Sequence, residues 1–109
     1  MSEDIKRKRI LIFDDHHIVR HGLTQLIAQE SDMMVCGEAS SQEEALQALE
    51  ESKPDVVLID ITLKDSNGIN LIKQIRSQDA DLSLLVLSMH DESLYAERAL
   101  RAGANGYVM

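Results

Sequence analysis

Short unbroken apolar runs alternate along the chain with stretches whose apolar residues recur at helical spacing. The unbroken runs are Ile10–Phe13, Val56–Ile59 and Leu82–Leu87, with a shorter and more mixed run, MMVCGEA, from Met33 and GYVM from Gly106. Continuous runs of this kind suit parallel strands that are covered on both faces. Between them, Val19, Leu23, Leu26 and Ile27 fall at i, i+4, i+7 and i+8, which is one face of a helix. The segment SQEEALQALEES opens with Ser41 three residues before Glu44, a capping-box spacing, and carries Ala45, Leu46 and Leu49 behind it. Ile69, Ile72 and Ile75 stripe a third helix. A fourth runs from about Ser93 to Ala102, with Gly103 placed to end it in a left-handed conformation. Pro54 and Asp55 follow the second helix and start the third strand.

The resulting order is β-α-β-α-β-α-β-α-β. It predicts a five-stranded parallel sheet with right-handed crossovers and helices on both faces. The doubly wound, flavodoxin-like strand order 2-1-3-4-5 is the expected topology. The chain's 109 residues suffice for one domain, expected over 10–109 behind a basic lead-in at 1–9. The basic run Lys6 to Arg9 (KRKR) is read as a solvated approach to the first strand rather than a nucleic-acid arm. The net charge of −8 points the same way, since phosphate-backbone binding depends on Lys and Arg. No apolar run approaches the ~20 residues that cross a membrane, and the N-terminus lacks a signal-peptide core. Cys36 is the one cysteine, so no internal disulfide is expected and a reducing cytoplasm is the simplest compartment.

The chemistry gathers at strand ends. Strand 1 runs into Asp14 and Asp15, strand 3 ends in Asp60, and strand 4 ends in Ser88. Strands 1, 3 and 4 are neighbours in the expected order, and ligands of open α/β sheets bind beyond the carboxyl ends of the strands. Carboxylates a few ångström apart resist joint ionisation, and a divalent cation reverses that cost. Mg²⁺ prefers oxygen ligands and commonly takes one or two carboxylates together with a phosphate oxygen. Asp14, Asp15 and Asp60 are therefore expected to hold Mg²⁺ and a phosphoryl group, with Asp60 as the nucleophile and Ser88 hydrogen-bonding a phosphoryl oxygen. Any one Asp after a strand is usually a helix cap or a turn residue. Three of them at adjacent strand ends outweigh that reading.

These residues carry a resemblance. The stretches LIFDDHHIVRHGL, KPDVVLIDITLKDSNGINLIKQIR, LLVLSMHDE and ALRAGANGYVM resemble the receiver domain of bacterial two-component response regulators, of the LuxR-type (NarL/FixJ) subfamily. The resemblance runs from Ile10 to Met109 and implies a CheY-like fold. It implies that Asp60 is the phosphoacceptor, taking a phosphoryl group from a phosphohistidine on a sensor histidine kinase. Asp15 would ligate Mg²⁺ directly and Asp14 mainly through water, with the backbone carbonyl of Thr62 completing the protein's share. Ser88 would be the switch hydroxyl and Tyr107 the switch aromatic, while Thr62 and His90 tune hydrolysis of the aspartyl phosphate. The family is a signalling phosphoacceptor, not an enzyme with a separate substrate. Its helix 4/strand 5 surface controls homodimerisation or an output domain, and DNA is reached only through a C-terminal helix-turn-helix domain that these residues do not contain. There are departures. Lys64 stands where a proline is common, and Met89 where a small residue is common. The family's lysine belongs one residue after Met109, and the fifth helix is missing from the chain, so a longer natural protein is expected and part of one sheet face should lie bare.

Other residues invite sharper readings. His17 and His21 are spaced as a zinc pair, with no third ligand evident. His16 is expected to pack its ring locally at a helix start rather than tune the crevice, and Arg20, which could make ion pairs across the surface of the first helix, to be solvated by default. Cys36 reads as a small buried apolar residue. Two rival functions stay open: a phosphorylation-independent pseudo-receiver scaffold, and a small phosphatase with an aspartyl nucleophile. The phosphatase class wants a second acid two residues after the nucleophile, where this chain has Thr62.

Overall fold

The alternation of periods becomes a sheet wrapped by helices. A computed structural model of the protein describes residues 7–14, 16–61, 67–88 and 93–108, with backbone alone at 61, 67, 68, 88, 93–96, 107 and 108. The elements in chain order are β1 (Lys8–Phe13), α1 (His17–Ala28), β2 (Met33–Ala39), α2 (Gln42–Ser52), β3 (Val56–Ile61), α3 (Asn67–Gln78), β4 (Ser83–Ser88), α4 (Ser93–Ala102) and β5 (Gly106–Val108). All sheet pairings are parallel, and the strand order is β2-β1-β3-β4-β5, as expected from the sequence.

Alternate residues of the central strands feed two cores. Leu11, Phe13, Val57, Ile59, Leu84 and Val86 face α2, α3 and α4, where Ala45, Ile69, Ile72, Ile75 and Ala99 meet them. Ile10 and Ile12 face the other way and pack with Ile27 of α1 and half-buried Leu23, Val35, Val56 and Leu58. The striped residues of α3 are thus core residues, as their spacing predicts. Helix α1 departs from expectation, because Leu26 is 62% exposed. The buried stripe follows Val19, Leu23 and Ile27 at intervals of four, which leaves Leu26 on its flank. Leu85 of β4 is also exposed, on the sheet face that α1 covers. Opposite β1, strand β2 slips register between Ile10 and Leu11, passing over Cys36, which is half-buried against the larger core rather than fully enclosed.

Local chemistry sets the ends of the elements. Ser41 caps α2 by accepting the Glu44 amide at 3.2 Å, and Glu44 reaches back to the amide and hydroxyl of Ser40, each at 2.9 Å. The capping box therefore closes one residue earlier than the usual reciprocal pair. Helix α2 ends at Lys53, whose φ of 47° is left-handed, ahead of Pro54. The basic run enters β1 directly: the guanidinium of Arg9 donates to the carbonyl of Ser52 at the end of α2, at 2.7 and 3.2 Å.

At the far end of α4, Gly103 has φ +125°, the positive-φ termination that its position predicts. The guanidinium of Arg76 on α3 donates to the carbonyls of Gly103, Asp79, Ala80 and Leu82 and to Oδ1 of Asn105, the shortest contact being 2.6 Å. Asn105 in turn exchanges hydrogen bonds with the backbone of Leu84, each at 2.8 Å.

Candidate functional site

Register carries the carboxylates to one edge of the sheet. Phe13 of β1 pairs with Ile59 of β3, so Asp14 and Asp60 stand one residue further on at neighbouring strand ends. Both are buried, at 0% and 5% exposure. In β4, Leu87 pairs with Asp60 and Ser88 with Ile61, which brings the backbone of Ser88 to the same edge. Tyr107 pairs with Val86 on β5, and its place in the strand is what the structure describes of it. Asp15, Thr62 and His90 lie outside the described residues, as do Lys64 and Met89.

The turn from β1 into α1 shapes the site. The amide of Asp14 donates to the carbonyl of Ala39 at 3.0 Å, tying the turn to β2. Oδ1 of Asp14 accepts the amide of His16 at 2.8 Å and lies 3.3 Å from Nδ1 of the same histidine. Oδ2 of Asp14 is buried with no hydrogen-bond partner among the described residues. Ligand-capable atoms of Asp14, His16 and Asp60 all fall within 4.8 Å of one another.

Two contributors were not legible in the sequence. Arg20 is 16% exposed rather than solvated, and its guanidinium donates to the carbonyl of Asp14 at 2.7 Å and to Oε1 of Glu38 at 3.1 Å. It thereby fixes the peptide that joins the two sequence-adjacent aspartates. The ring of His16, half exposed, turns toward Asp14 rather than only packing at the helix start. His17 and His21 engage Arg20 and Gln25, at 3.2 and 3.1 Å, and gather no third metal-ligating group among the described residues. Beside this turn, Glu44 has its pKa held below the ordinary 4.5 by the backbone and hydroxyl donors of Ser40, helped by the charge of Arg20.

The donor set suits a hard cation. Two buried carboxylates, one with an oxygen that no hydrogen bond from the described residues satisfies, supply what Mg²⁺ takes from a protein. A cleft of about 270 Å³ lined by Leu49, Lys53, Pro54, Ile75 and Leu82 opens at the opposite end of the strands, away from every carboxylate of this group.

The sequence profile of the response regulator receiver domain matches residues 10–109. The chain belongs to the response regulator receiver domain family. This receiver domain is similar to the uncharacterized transcriptional regulatory protein YhcZ of Bacillus subtilis (strain 168), at 41% identity over 101 residues, covering 93% of the chain and 47% of that protein. It is 37% identical to the DNA-binding transcriptional activator DevR/DosR of Mycobacterium tuberculosis (strain ATCC 25618 / H37Rv), covering 93% of the chain and 46% of the relative. In structure it matches a LuxR-family two-component response regulator from Aurantimonas sp. SI85-9A1 with a TM-score of 0.85 and 38% identity, over 94% of this chain and 73% of that one. The receiver domain spans about half the length of the curated relatives it matches. Receiver domains are signalling domains rather than conventional enzymes, and they bind Mg²⁺ through acidic residues of the kind clustered here. No helix among the described residues is long and apolar enough to cross a membrane.

Proposed function

We propose that this receiver domain is a phosphoacceptor. A sensor histidine kinase presents a phosphohistidine, and a carboxylate oxygen of Asp60 attacks its phosphorus. The P–N bond breaks as the new P–O bond forms, and the electron pair stays on the imidazole nitrogen. Asp14, Asp15, Asp60 and the carbonyl of Thr62 would hold Mg²⁺. When bound, that ion neutralises the crowded carboxylates and the transferring oxygens. Ser88 hydrogen-bonds the phosphoryl group, Tyr107 follows it on β5, and Thr62 and His90 set the rate of hydrolysis. The added charge, about −1.5 to −2, biases the α4/β5 surface. That surface governs an output, by homodimerisation or by a DNA-binding helix-turn-helix domain of a longer protein in the cytoplasm. The relatives' names, as transcriptional regulators, support this reading. Residues 10–109 form the switch, behind a lead-in whose last two residues, Lys8 and Arg9, already belong to β1.

The observation that carries the proposal is the burial of Asp14 and Asp60 at adjacent strand ends, with ligand atoms within 4.8 Å. The test is mass spectrometry of the protein after incubation with Mg²⁺ and acetyl phosphate. One phosphoryl group should be gained, and Asp60→Asn or removal of Mg²⁺ with EDTA should abolish the gain. An unchanged mass for a protein that also carries residue 110 onward would hand the function to the scaffold reading.

A further inference from the structure

The acidic pair has a nitrogen donor beside it. His16 Nδ1 lies 3.3 Å from Oδ1 of Asp14, and the imidazole, Asp14 and Asp60 all offer atoms within 4.8 Å of one another. Ligands about 2.1 Å from one ion at tetrahedral or octahedral angles stand about 3.0–3.4 Å apart, so the His16–Asp14 spacing already matches two ligands of a shared ion. Oδ2 of Asp14, fully buried with no hydrogen-bond partner among the described residues, is a second indication of an absent cation. The backbone beneath the ring is fixed, since the His16 amide donates to Asp14 at 2.8 Å and its carbonyl accepts the Arg20 amide at 2.9 Å, which leaves only the ring's own torsions to order. The side chain is half exposed.

We infer that His16 is a further metal ligand that lets this site take late first-row divalent ions, Zn²⁺ foremost, alongside Mg²⁺. The inference rests on the metal site proposed above for Asp14 and Asp60. Its physical basis is donor type. Carboxylate oxygens suit Mg²⁺, whereas a neutral imidazole suits Zn²⁺ and Ni²⁺. One nitrogen ligand added to a carboxylate site shifts its preference toward those ions. His16 thus makes occupancy depend on which ion is available, without altering the oxygen donors that Mg²⁺ uses.

Isothermal titration of the protein with ZnCl₂ and MgCl₂ tests this, using wild type, His16→Asn and Asp14→Asn. Asparagine keeps an N–H able to donate to Asp14 but is a poor zinc ligand, so it separates ligation from mere orientation of the carboxylate. His16→Asn should weaken Zn²⁺ binding about tenfold or more while leaving Mg²⁺ affinity unchanged. Excess Mg²⁺ should displace Zn²⁺ from the wild type, which a site at His17 and His21 would not allow. Unaltered Zn²⁺ affinity in His16→Asn, or Zn²⁺ that Mg²⁺ cannot displace, overturns the inference and leaves the Mg²⁺ site standing. Unaltered Mg²⁺ affinity in Asp14→Asn would instead overturn the underlying site.

Discussion

Asp14 divides its two carboxylate oxygens between structure and chemistry. Oδ1 takes the amide that starts α1, and Oδ2 is buried with no hydrogen-bond partner among the described residues. Arg20 holds the carbonyl of the same residue, so two oxygens of one aspartate are fixed by different donors. Glu44 feels that arrangement from α2. Its folded pKa lies below 4.5, so the stability it contributes is fully present above 4.5 and is lost as pH falls through the lower folded value. NMR titration of the Glu44 side-chain carboxyl should give a midpoint below 4.5, and Arg20→Gln should move that midpoint upward. A midpoint at the ordinary value would show that Ser40 does not donate as described. At this scale the sequence disclosed Asp14 and Asp60, because a carboxylate after an apolar run announces itself. It hid Arg20 and the orientation of His16. Arg20 finds its partner Glu38 eighteen positions away, a pairing made by the β1–β2 crossover and not by local spacing.

At the scale of elements, the periods of the chain were enough to place every strand and helix, and the capping box marked where α2 begins. What they could not show was which side of an apolar stripe faces inward, as Leu26 demonstrates, because that depends on how α1 leans on the sheet. Gly22, inside a helix, and Gly103, just past the end of one, illustrate opposite demands. Gly103 combines φ +125° with a position where a Cβ would lie 2.8 Å from Cγ of Arg76. Gly22 lies within α1 with nothing within 4 Å of its would-be Cβ. Gly103→Ala should therefore cost about 1–3 kcal/mol from the strained backbone, and more if Arg76 loses its acceptors. Gly22→Ala should stabilise by about 0.4–1 kcal/mol by reducing the freedom of the unfolded chain. Urea unfolding of the two variants beside the wild type checks both signs at once.

For the whole molecule, the strand order was readable because alternating periods and right-handed crossovers leave few ways to lay down five parallel strands. The site was readable in part, since one sheet edge collects whatever follows β1, β3 and β4. A domain with net charge −8 and two carboxylates buried together is held back by its own electrostatics. Mg²⁺ should raise its thermal midpoint, by about 2.7 kcal/mol of stability when the ion is at a hundred times its dissociation constant. Asp14→Asn should melt no lower than wild type without the ion and gain little on its addition. Calorimetry with and without MgCl₂ measures both, and a full Mg²⁺ gain in the variant would contradict the assignment. The grip of Arg76 has its own bearing on such a switch. With the carbonyl of Gly103 and the side chain of Asn105 both held by α3, the tail of α4 acts as a fulcrum. If phosphorylation moves this edge of the sheet as proposed, a tail so anchored would make the N-terminal end of α4 travel further than its C-terminal end.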